Sequence, residues 1–238
     1  MLDEQWYALG RSAEIGRRPL AIRRFGSDLV VWRASDGEVR AAFDACAHRG
    51  AALSRGRVVN GCLECPYHGL QFGADGRCTH VPATPTAPIP EGLALRMYPT
   101  REAHGLAWVW KGRGEPGPLP WDDAFDRELT GEHAGRFLDL ADTFDVSYLR
   151  VMENLTDVHH VAHVHRWTAP MPADVTAFEA RRDGHHVFVD AELGERMRAT
   201  VHIKAPFLAI LDFAGQARFG VVVSPVDEDH VWLFSRYT

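Results

Sequence analysis

Short segments in which apolar and polar residues alternate occupy much of the first hundred residues, and this pattern is typical of β-strands. Two Asp-Gly pairs, at 36–37 and 75–76, each lie between two β-rich runs and predict hairpins. The segment 95–112 predicts two further strands. The first part of the chain is therefore expected to form a small all-β domain.

The pattern changes after residues 112–120, which are rich in Gly and Pro and predict a linker. The segment 145–166 contains no Gly or Pro and predicts mainly helix. From about Val175 the alternation returns, with predicted hairpin turns at 183–184 and 225–229. The second part of the chain is expected to place a helix before a sheet.

This order of elements predicts an α+β fold with an all-β domain over residues 1–115 and an α+β domain over residues 116–238. The net charge of −6, without basic runs interleaved with aromatic residues, argues against nucleic-acid binding. The N-terminus lacks the pattern of a signal peptide, and no apolar run approaches the roughly 18 residues of a membrane span. We therefore expect a cytoplasmic protein that does not associate with a membrane.

Three of the four cysteines lie within residues 46–69, where they alternate with histidines. Clustered cysteines of a cytoplasmic protein bind metal more often than they form disulfides. The segment contains two short Cys–His pairs separated by sixteen residues, namely Cys46 with His48 and Cys65 with His68.

Three interpretations of these pairs compete. The residues could be unrelated core and surface side chains, or they could belong to a zinc site built on Cys62 and Cys65 with Cys78 and His80 nearby. In the third interpretation they form a Rieske [2Fe–2S] centre, in which two cysteines hold one iron and two histidines hold the other. The spacing C-x-H followed by C-x-x-H, with a glycine ending each motif, favours the Rieske centre.

A second cluster, residues 153–166, contains four histidines, one Asn and one Asp. A solvent-exposed polar helix face is one explanation. Two histidines and one carboxylate with open coordination positions are the ligands that suit non-haem Fe(II), which must leave room for dioxygen.

Helix geometry leaves the choice of histidines open. His159 and His163 lie one helical turn apart, and His160 and His163 are also neighbours on a helix surface. His160 and His165 are separated by about 140° around an ideal helix. For that last pair to act together, the helix has to break or unwind near residues 162–165.

Both clusters resemble the motifs of the Rieske non-haem iron oxygenases. The loops CAHRG and CPYHG match the cluster motif without the extra cysteines of respiratory Rieske proteins. The second motif, E-N-x-x-D-x-x-H-x-x-x-x-H, is matched position by position by Glu153, Asn154, Asp157, His160 and His165. The resemblance extends over essentially the whole chain and is greatest to terminal oxygenase (α) subunits of the vanillate and dicamba O-demethylase type.

The resemblance implies an N-terminal Rieske domain followed by a helix-grip domain of the START or Bet v1 type. It assigns the [2Fe–2S] cluster to Cys46, His48, Cys65 and His68 and the mononuclear iron to His160 and His165. Asn154 lies beside that iron in the family.

By the same resemblance, Asp157 joins His160 to the cluster ligand His68 of the partner subunit, because the family transfers electrons between the subunits of a homotrimer. The third iron ligand of the family is an Asp in a C-terminal segment after the final hairpin. This sequence offers no matching residue, so its catalytic domain is expected to be truncated at the C-terminus relative to the family.

The implied function is a mono- or dioxygenase of aromatic compound degradation. NAD(P)H-derived electrons arrive through a ferredoxin or flavin reductase, and O2 is used to hydroxylate or O-/N-demethylate a small aromatic substrate. The alternative is a Rieske electron-transfer or accessory subunit without its own turnover.

Overall fold

The computed structural model describes residues 1–120, 127, 138–167, 170–214 and 217–237. The chain divides into two compact units, Met1–Gly117 and Pro118–Thr238. The division lies within the segment 112–120, which is rich in Gly and Pro. The predicted α+β class is confirmed.

The first unit is built from antiparallel strands in three sheets, ordered β1-β11-β10, β2-β3-β4-β9 and β5-β6-β7-β8. Its strands are β1 (Gln5–Arg11), β2 (Leu20–Arg24), β3 (Ser27–Arg33), β4 (Val39–Phe43), β5 (Arg57–Val59), β6 (Cys62–Glu64), β7 (Gln71–Phe72), β8 (Cys78–His80), β9 (Met97–Tyr98), β10 (Thr100–Ala103) and β11 (Leu106–Lys111).

Both hairpins predicted in this unit are present. Gly37 connects β3 to β4 with φ +88°, and Gly76 connects β7 to β8 with φ +80°. Such left-handed backbone is readily adopted by glycine. The expectation of two strands over 95–112 is wrong, because the segment forms three. Pro99 separates β9 from β10, since a proline has no amide hydrogen for a sheet.

The second unit contains a seven-stranded antiparallel sheet in the order β12-β18-β17-β16-β15-β14-β13. Its elements are β12 (Leu138–Phe144), α1 (Tyr148–Thr156), α2 (Val161–Val164), β13 (Val175–Asp183), β14 (His186–Leu193), β15 (Met197–Lys204), β16 (Leu208–Phe213), β17 (Ala217–Pro225) and β18 (Val231–Tyr237). The hairpins predicted at 183–184 and 225–229 join β13 to β14 and β17 to β18. Sequence patterns did not predict β12.

One face of this sheet packs against α1, and we call it the inner face. Val151 and Leu155, one helical turn apart, are 8% and 9% exposed and belong to the same apolar core as Val201 and Val221. Successive side chains of a strand point to opposite faces, so the odd-numbered residues of β14 to β18 share the inner face.

None of the helices in the described parts of the chain has both the length and the apolar character needed to cross a bilayer.

A buried ion pair joins β12 to the rest of the sheet. Arg236 donates from Nε and Nη2 to the two carboxylate oxygens of Asp139, each over 2.8 Å. The side chain of Arg236 is only 8% exposed, and the two residues are paired across β12 and β18. Bidentate pairs of this kind are strong and geometrically specific.

Asp139→Ala is expected to lower the free energy of unfolding by about 2 kcal/mol, because it leaves a buried guanidinium without its carboxylate. Urea denaturation followed by circular dichroism measures the loss. The control is Asp142→Ala at an exposed position of the same strand, which should change stability by less than about 0.5 kcal/mol. Equal effects of the two substitutions would contradict this account of Arg236.

Candidate metal centres and their cavity

The two Cys–His loops, residues 46–51 and 65–70, have the same backbone hydrogen bonds. In each loop the cysteine amide donates to the carbonyl five residues later, in both cases over 2.8 Å. The glycine amide four residues after the cysteine donates back to the cysteine carbonyl, over 2.8 Å in the first loop and 3.1 Å in the second. The chain thus builds the same tight loop twice.

Glycine is required in these loops by backbone conformation. Gly50 has φ +70° and Gly69 has φ +71°, a region that side chains with a Cβ adopt only with strain. A Cβ at Gly50 would have no other atom within 4 Å, so space is not the constraint there. At Gly69 a Cβ would also lie 3.1 Å from Cγ of Pro82.

The loops bury their cysteines and expose their histidines. Cys46 and Cys65 are 4% and 2% exposed, whereas His48 and His68 lie at the surface with ring centroids 4.8 Å apart. The four side chains therefore present one inner pair of sulfurs and one outer pair of imidazoles. Two donors for each of two irons is the requirement of a Rieske centre.

Burial raises the pKa of the Cys46 thiol, and a hydrogen bond with the neighbouring Cys65 thiol raises it further. The Cys46 sulfur thus lies beside that of Cys65 in a site that disfavours its thiolate form. A bound cation reverses this preference, since coordinating thiols lose their protons. The donor set fits an iron–sulfur group.

The other two cysteines lie in strands. Cys62 begins β6, where its sulfur accepts a hydrogen bond from the Thr79 hydroxyl over 3.7 Å, and Cys78 begins β8. Within the part of the chain that the structure describes, no three His, Cys, Asp or Glu side chains surround one metal position. A structural zinc site takes four ligands, so this geometry does not favour the zinc interpretation.

In the second unit, the helix breaks earlier than predicted. α1 ends at Thr156, and Asp157 leaves helical geometry with φ −87° and ψ 95°. The carboxylate of Asp157 accepts the amide of His159 over 2.9 Å, which is a local turn that competes with helix. The chain is helical again over Val161–Val164 and leaves helical geometry at His165, with φ −101° and ψ 16°, within the segment 162–165 where the pair of His160 and His165 requires it.

This break fixes the tautomer of His160. Its Nδ1 lies 2.6 Å from the backbone carbonyl oxygen of Asp157, and a carbonyl can only accept, so Nδ1 carries the hydrogen. The lone pair is left on Nε2, which lies 3.4 Å from Nδ2 of Asn154. A histidine held in this way by its other ring nitrogen is typical of metal ligation.

His165 follows α2, and its ring centroid lies 5.4 Å from that of His160. Both rings line a cavity of about 440 Å³. His159 is exposed, with its ring 6.0 Å from that of Phe178, and His163 is exposed on α2. Neither is among the described residues that line the cavity.

Asp157 is the only carboxylate among the described residues that line this cavity. Three acidic residues of the strands and of the last hairpin make ion pairs with neighbouring residues instead. These pairs are Asp190 with Arg198, Asp212 with Arg218 and Asp227 with His230. Within the described residues, the cavity thus offers two imidazoles, one amide, one carboxylate and the phenol of Tyr237.

Comparison with known proteins identifies the first unit. Residues 5–99 match the family model of the Rieske [2Fe-2S] domain. The chain is 31% identical over 227 residues to aminopyrrolnitrin oxygenase PrnD of Pseudomonas fluorescens, covering 92% of this chain and 58% of that protein. It is 36% identical over 171 residues to the oxygenase component of dicamba O-demethylase of Stenotrophomonas maltophilia, covering 71% and 49%.

The whole described fold is also found among solved structures. The crystal structure of dicamba monooxygenase bound to dicamba superposes with a TM-score of 0.82 at 24% identity, covering 100% of this chain and 77% of that one. The fold and the family match define a Rieske-type iron–sulfur protein. The sequence is similar to those of the two oxygenases named above, and the chain shares the fold of dicamba monooxygenase. It spans about half the length of the curated relatives named above.

Gly50→Ala is expected to destabilise the protein by about 1 kcal/mol because of backbone strain, and Gly69→Ala by more because its Cβ also approaches Pro82. The control is Gly16→Ala, where φ lies outside the left-handed region and the added Cβ would have no other atom within 4 Å. The free energy of unfolding of the three variants is measured by urea denaturation of samples with the same iron and sulfide content. Equal stability of the Gly16 and Gly50 variants would contradict the conformational explanation.

Proposed function

We propose that the protein is the terminal oxygenase of a Rieske non-haem iron oxygenase system. It takes NAD(P)H-derived electrons from a ferredoxin or flavin reductase and uses O2 to hydroxylate or O-/N-demethylate a small aromatic substrate. The [2Fe–2S] ligands are Cys46, His48, Cys65 and His68, and the mononuclear Fe(II) ligands are His160 and His165. The observation that carries this proposal is the pair of imidazoles, one with its hydrogen held on Nδ1 by a backbone carbonyl, that lines an apolar cavity.

When bound, the mononuclear iron supplies the activation of dioxygen, with electrons delivered through the iron–sulfur cluster. The protein orients the ligand His160 through the Asp157 carbonyl, which retains the proton on Nδ1. Asn154 places its amide beside Nε2 without being required as a ligand. His160 and His165 would hold this iron, and two protein ligands would leave room on it for dioxygen.

The cavity wall supports oxygenation because it is apolar. Val158, Val201 and Leu211 line it beside the two histidines, and such walls keep water away from reactive intermediates. If the carbon that reacts is an O- or N-methyl group, the hydroxymethyl product breaks its C–O or C–N bond and releases formaldehyde. A pure electron carrier has no need of such a cavity, so the geometry favours the oxygenase.

Loops 46–51 and 65–70, which carry the proposed cluster ligands, expose their histidines, and this exposure suits the transfer of electrons to and from the cluster. The buried cysteines would hold one iron of the cluster, and the exposed His48 and His68 would hold the other at the surface of the subunit. Asp157 is half-exposed, with 49% of its side chain accessible. We place it as the carboxylate that joins His160 to His68 of the partner subunit in a homotrimer, a head-to-tail ring.

Iron analysis tests the two centres separately. The native protein, prepared with ample iron and without air, should hold about three irons per chain and show a rhombic electron-paramagnetic signal after dithionite reduction. His160→Ala should hold about two irons, lose oxygenation and keep that signal and the visible spectrum. The matched control is His163→Ala, an exposed histidine outside the cavity lining, which should keep about three irons.

Two outcomes would contradict this assignment. Absence of the rhombic signal from the native protein would exclude the cluster, and loss of the visible spectrum in His160→Ala would show that the two centres are not separate.

Asp157→Asn tests the bridging carboxylate. Asn keeps an oxygen to accept the His159 amide, so the turn after α1 should persist. Intersubunit electron transfer, followed as oxidation of the reduced cluster in a single turnover, should slow by about 10- to 100-fold while the iron content stays unchanged. A wild-type rate in this variant would show that the carboxylate does not connect the two centres.

A further inference from the structure

Two histidines are in contact on the outer face of the second unit's sheet, which is the face opposite the inner one. His186 lies in β14 and His202 in β15, both at even positions, whereas the odd positions of these strands form the inner core. Nδ1 of His186 lies 2.8 Å from Nε2 of His202, and the ring centroids are 5.1 Å apart. Neither is among the described residues that line the cavity of His160 and His165, so this pair is separate from that candidate iron site.

Strand register brings these two rings together. Phe188 is paired directly with His202 across β14 and β15, and His186, two residues before Phe188, is therefore diagonal to His202. The Phe188 ring stacks on the His202 ring, with 4.3 Å between centroids and 15° between planes. From β13, the guanidinium carbon of Arg181 lies 3.8 Å from the centroid of the same Phe188 ring. These contacts restrict the His202 ring, and strands hold the side chains of a site more precisely than loops do.

The separation of the two ring nitrogens is close to the one that a metal ion requires of neighbouring ligands. In a hydrogen bond between neutral imidazoles, one nitrogen carries the hydrogen and the other accepts it through its lone pair. If that hydrogen moves to the other nitrogen of its own ring, both facing nitrogens present lone pairs. Metal–nitrogen bonds of about 2.1 Å at right angles place two ligand atoms about 3 Å apart. The observed distance of 2.8 Å requires only a small adjustment of the rings.

A carboxylate lies next to this pair in the sheet. Asp183 is paired with His186 across β13 and β14, and Lys204 is paired with His186 across β14 and β15. Directly paired residues share a face of the sheet with Cβ atoms about 5 Å apart, so Asp183 is placed to supply an oxygen ligand. The long, flexible Lys204 side chain can move its ammonium away from a bound cation. Within the described ranges, no three His, Cys, Asp or Glu side chains already surround one metal position, so binding would have to order Asp183 and water.

We propose that His186 and His202 form a binding site for a divalent transition-metal ion, with Asp183 as the third protein ligand. Two imidazole nitrogens at right angles, with oxygen ligands beside them, suit Ni²⁺ and Cu²⁺. A metal ion bound here connects β14 to β15. It stabilises the folded second unit, because the unfolded chain does not hold the two rings together. The site does not depend on the proposed oxygenase function.

Isothermal titration of the iron-loaded full chain with Ni²⁺ tests the proposal. His186→Ala and His202→Ala should each weaken Ni²⁺ binding at this site by at least about tenfold, because only one imidazole remains. The double variant should lose no more than either single variant, since the two rings act as one site. The matched control is His185→Ala, the exposed neighbour of His186 in the hairpin between β13 and β14, which should keep the native affinity.

Two further measurements connect the site to the third ligand and to stability. Asp183→Ala should weaken Ni²⁺ binding by about two- to tenfold, and an unchanged affinity would overturn the assignment of Asp183 as a ligand. Ni²⁺ should raise the melting temperature of the native protein and of the His185→Ala control more than that of His186→Ala. Melting temperatures without Ni²⁺ identify any variant that has lost its fold.

A measurement on the native protein needs no variant. One equivalent of Cu²⁺ should show the electron spin-echo modulation of two imidazole rings, and modulation from a single ring would overturn the proposal. Equal Ni²⁺ binding by the native protein, His186→Ala and His202→Ala would also overturn it, as would a loss confined to one of the two substitutions. Release of iron in proportion to the Ni²⁺ bound would place the Ni²⁺ in an iron centre and would overturn it as well.

Discussion

The hydrogen bond between the Asp157 carboxylate and the His159 amide controls the geometry of the second unit's candidate site. By ending α1, it turns the Asp157 carbonyl toward the ring of His160, and that carbonyl then determines which ring nitrogen carries the hydrogen. If the helix continued through this segment, His160 and His165 would point in directions about 140° apart. The break allows their rings to approach to 5.4 Å between centroids at the edge of one cavity.

The first unit organises its donors by a related principle. In loops 46–51 and 65–70, backbone hydrogen bonds and a left-handed glycine shape the turn that carries the cysteine and the histidine. Because these bonds are made within the protein, little ordering remains to be done when a group binds. Both candidate centres are therefore preorganised by main-chain groups close in sequence to the ligands they orient.

That local organisation explains which features could be predicted from the sequence. The Asp-Gly hairpins and the two Cys–His loops depend on residues a few positions apart, so spacing alone identified them. The meeting of Phe219 and Tyr237 along the cavity could not be predicted in this way, because it depends on the register between β17 and β18 and on which sheet face the helix covers. Strand β12 was missed because its apolar residues Leu138 and Leu140 are 60% and 49% exposed and give no clear buried pattern.

Successive residues of β17 and β18 point to opposite faces of the sheet, and the side chains on the two faces have different roles. On one face, Arg236 pairs with Asp139 and connects β12 to the sheet, while on the other, Phe219 and Tyr237 face the cavity. Adjacent residues of a strand point in opposite directions, so a charge needed for stability can lie next in sequence to a ring that lines the cavity and still point away from it. A one-residue slip of register would exchange the two sets and bring a guanidinium to the inner face. Correct pairing of these strands therefore determines both the stability of the unit and the chemical character of its cavity.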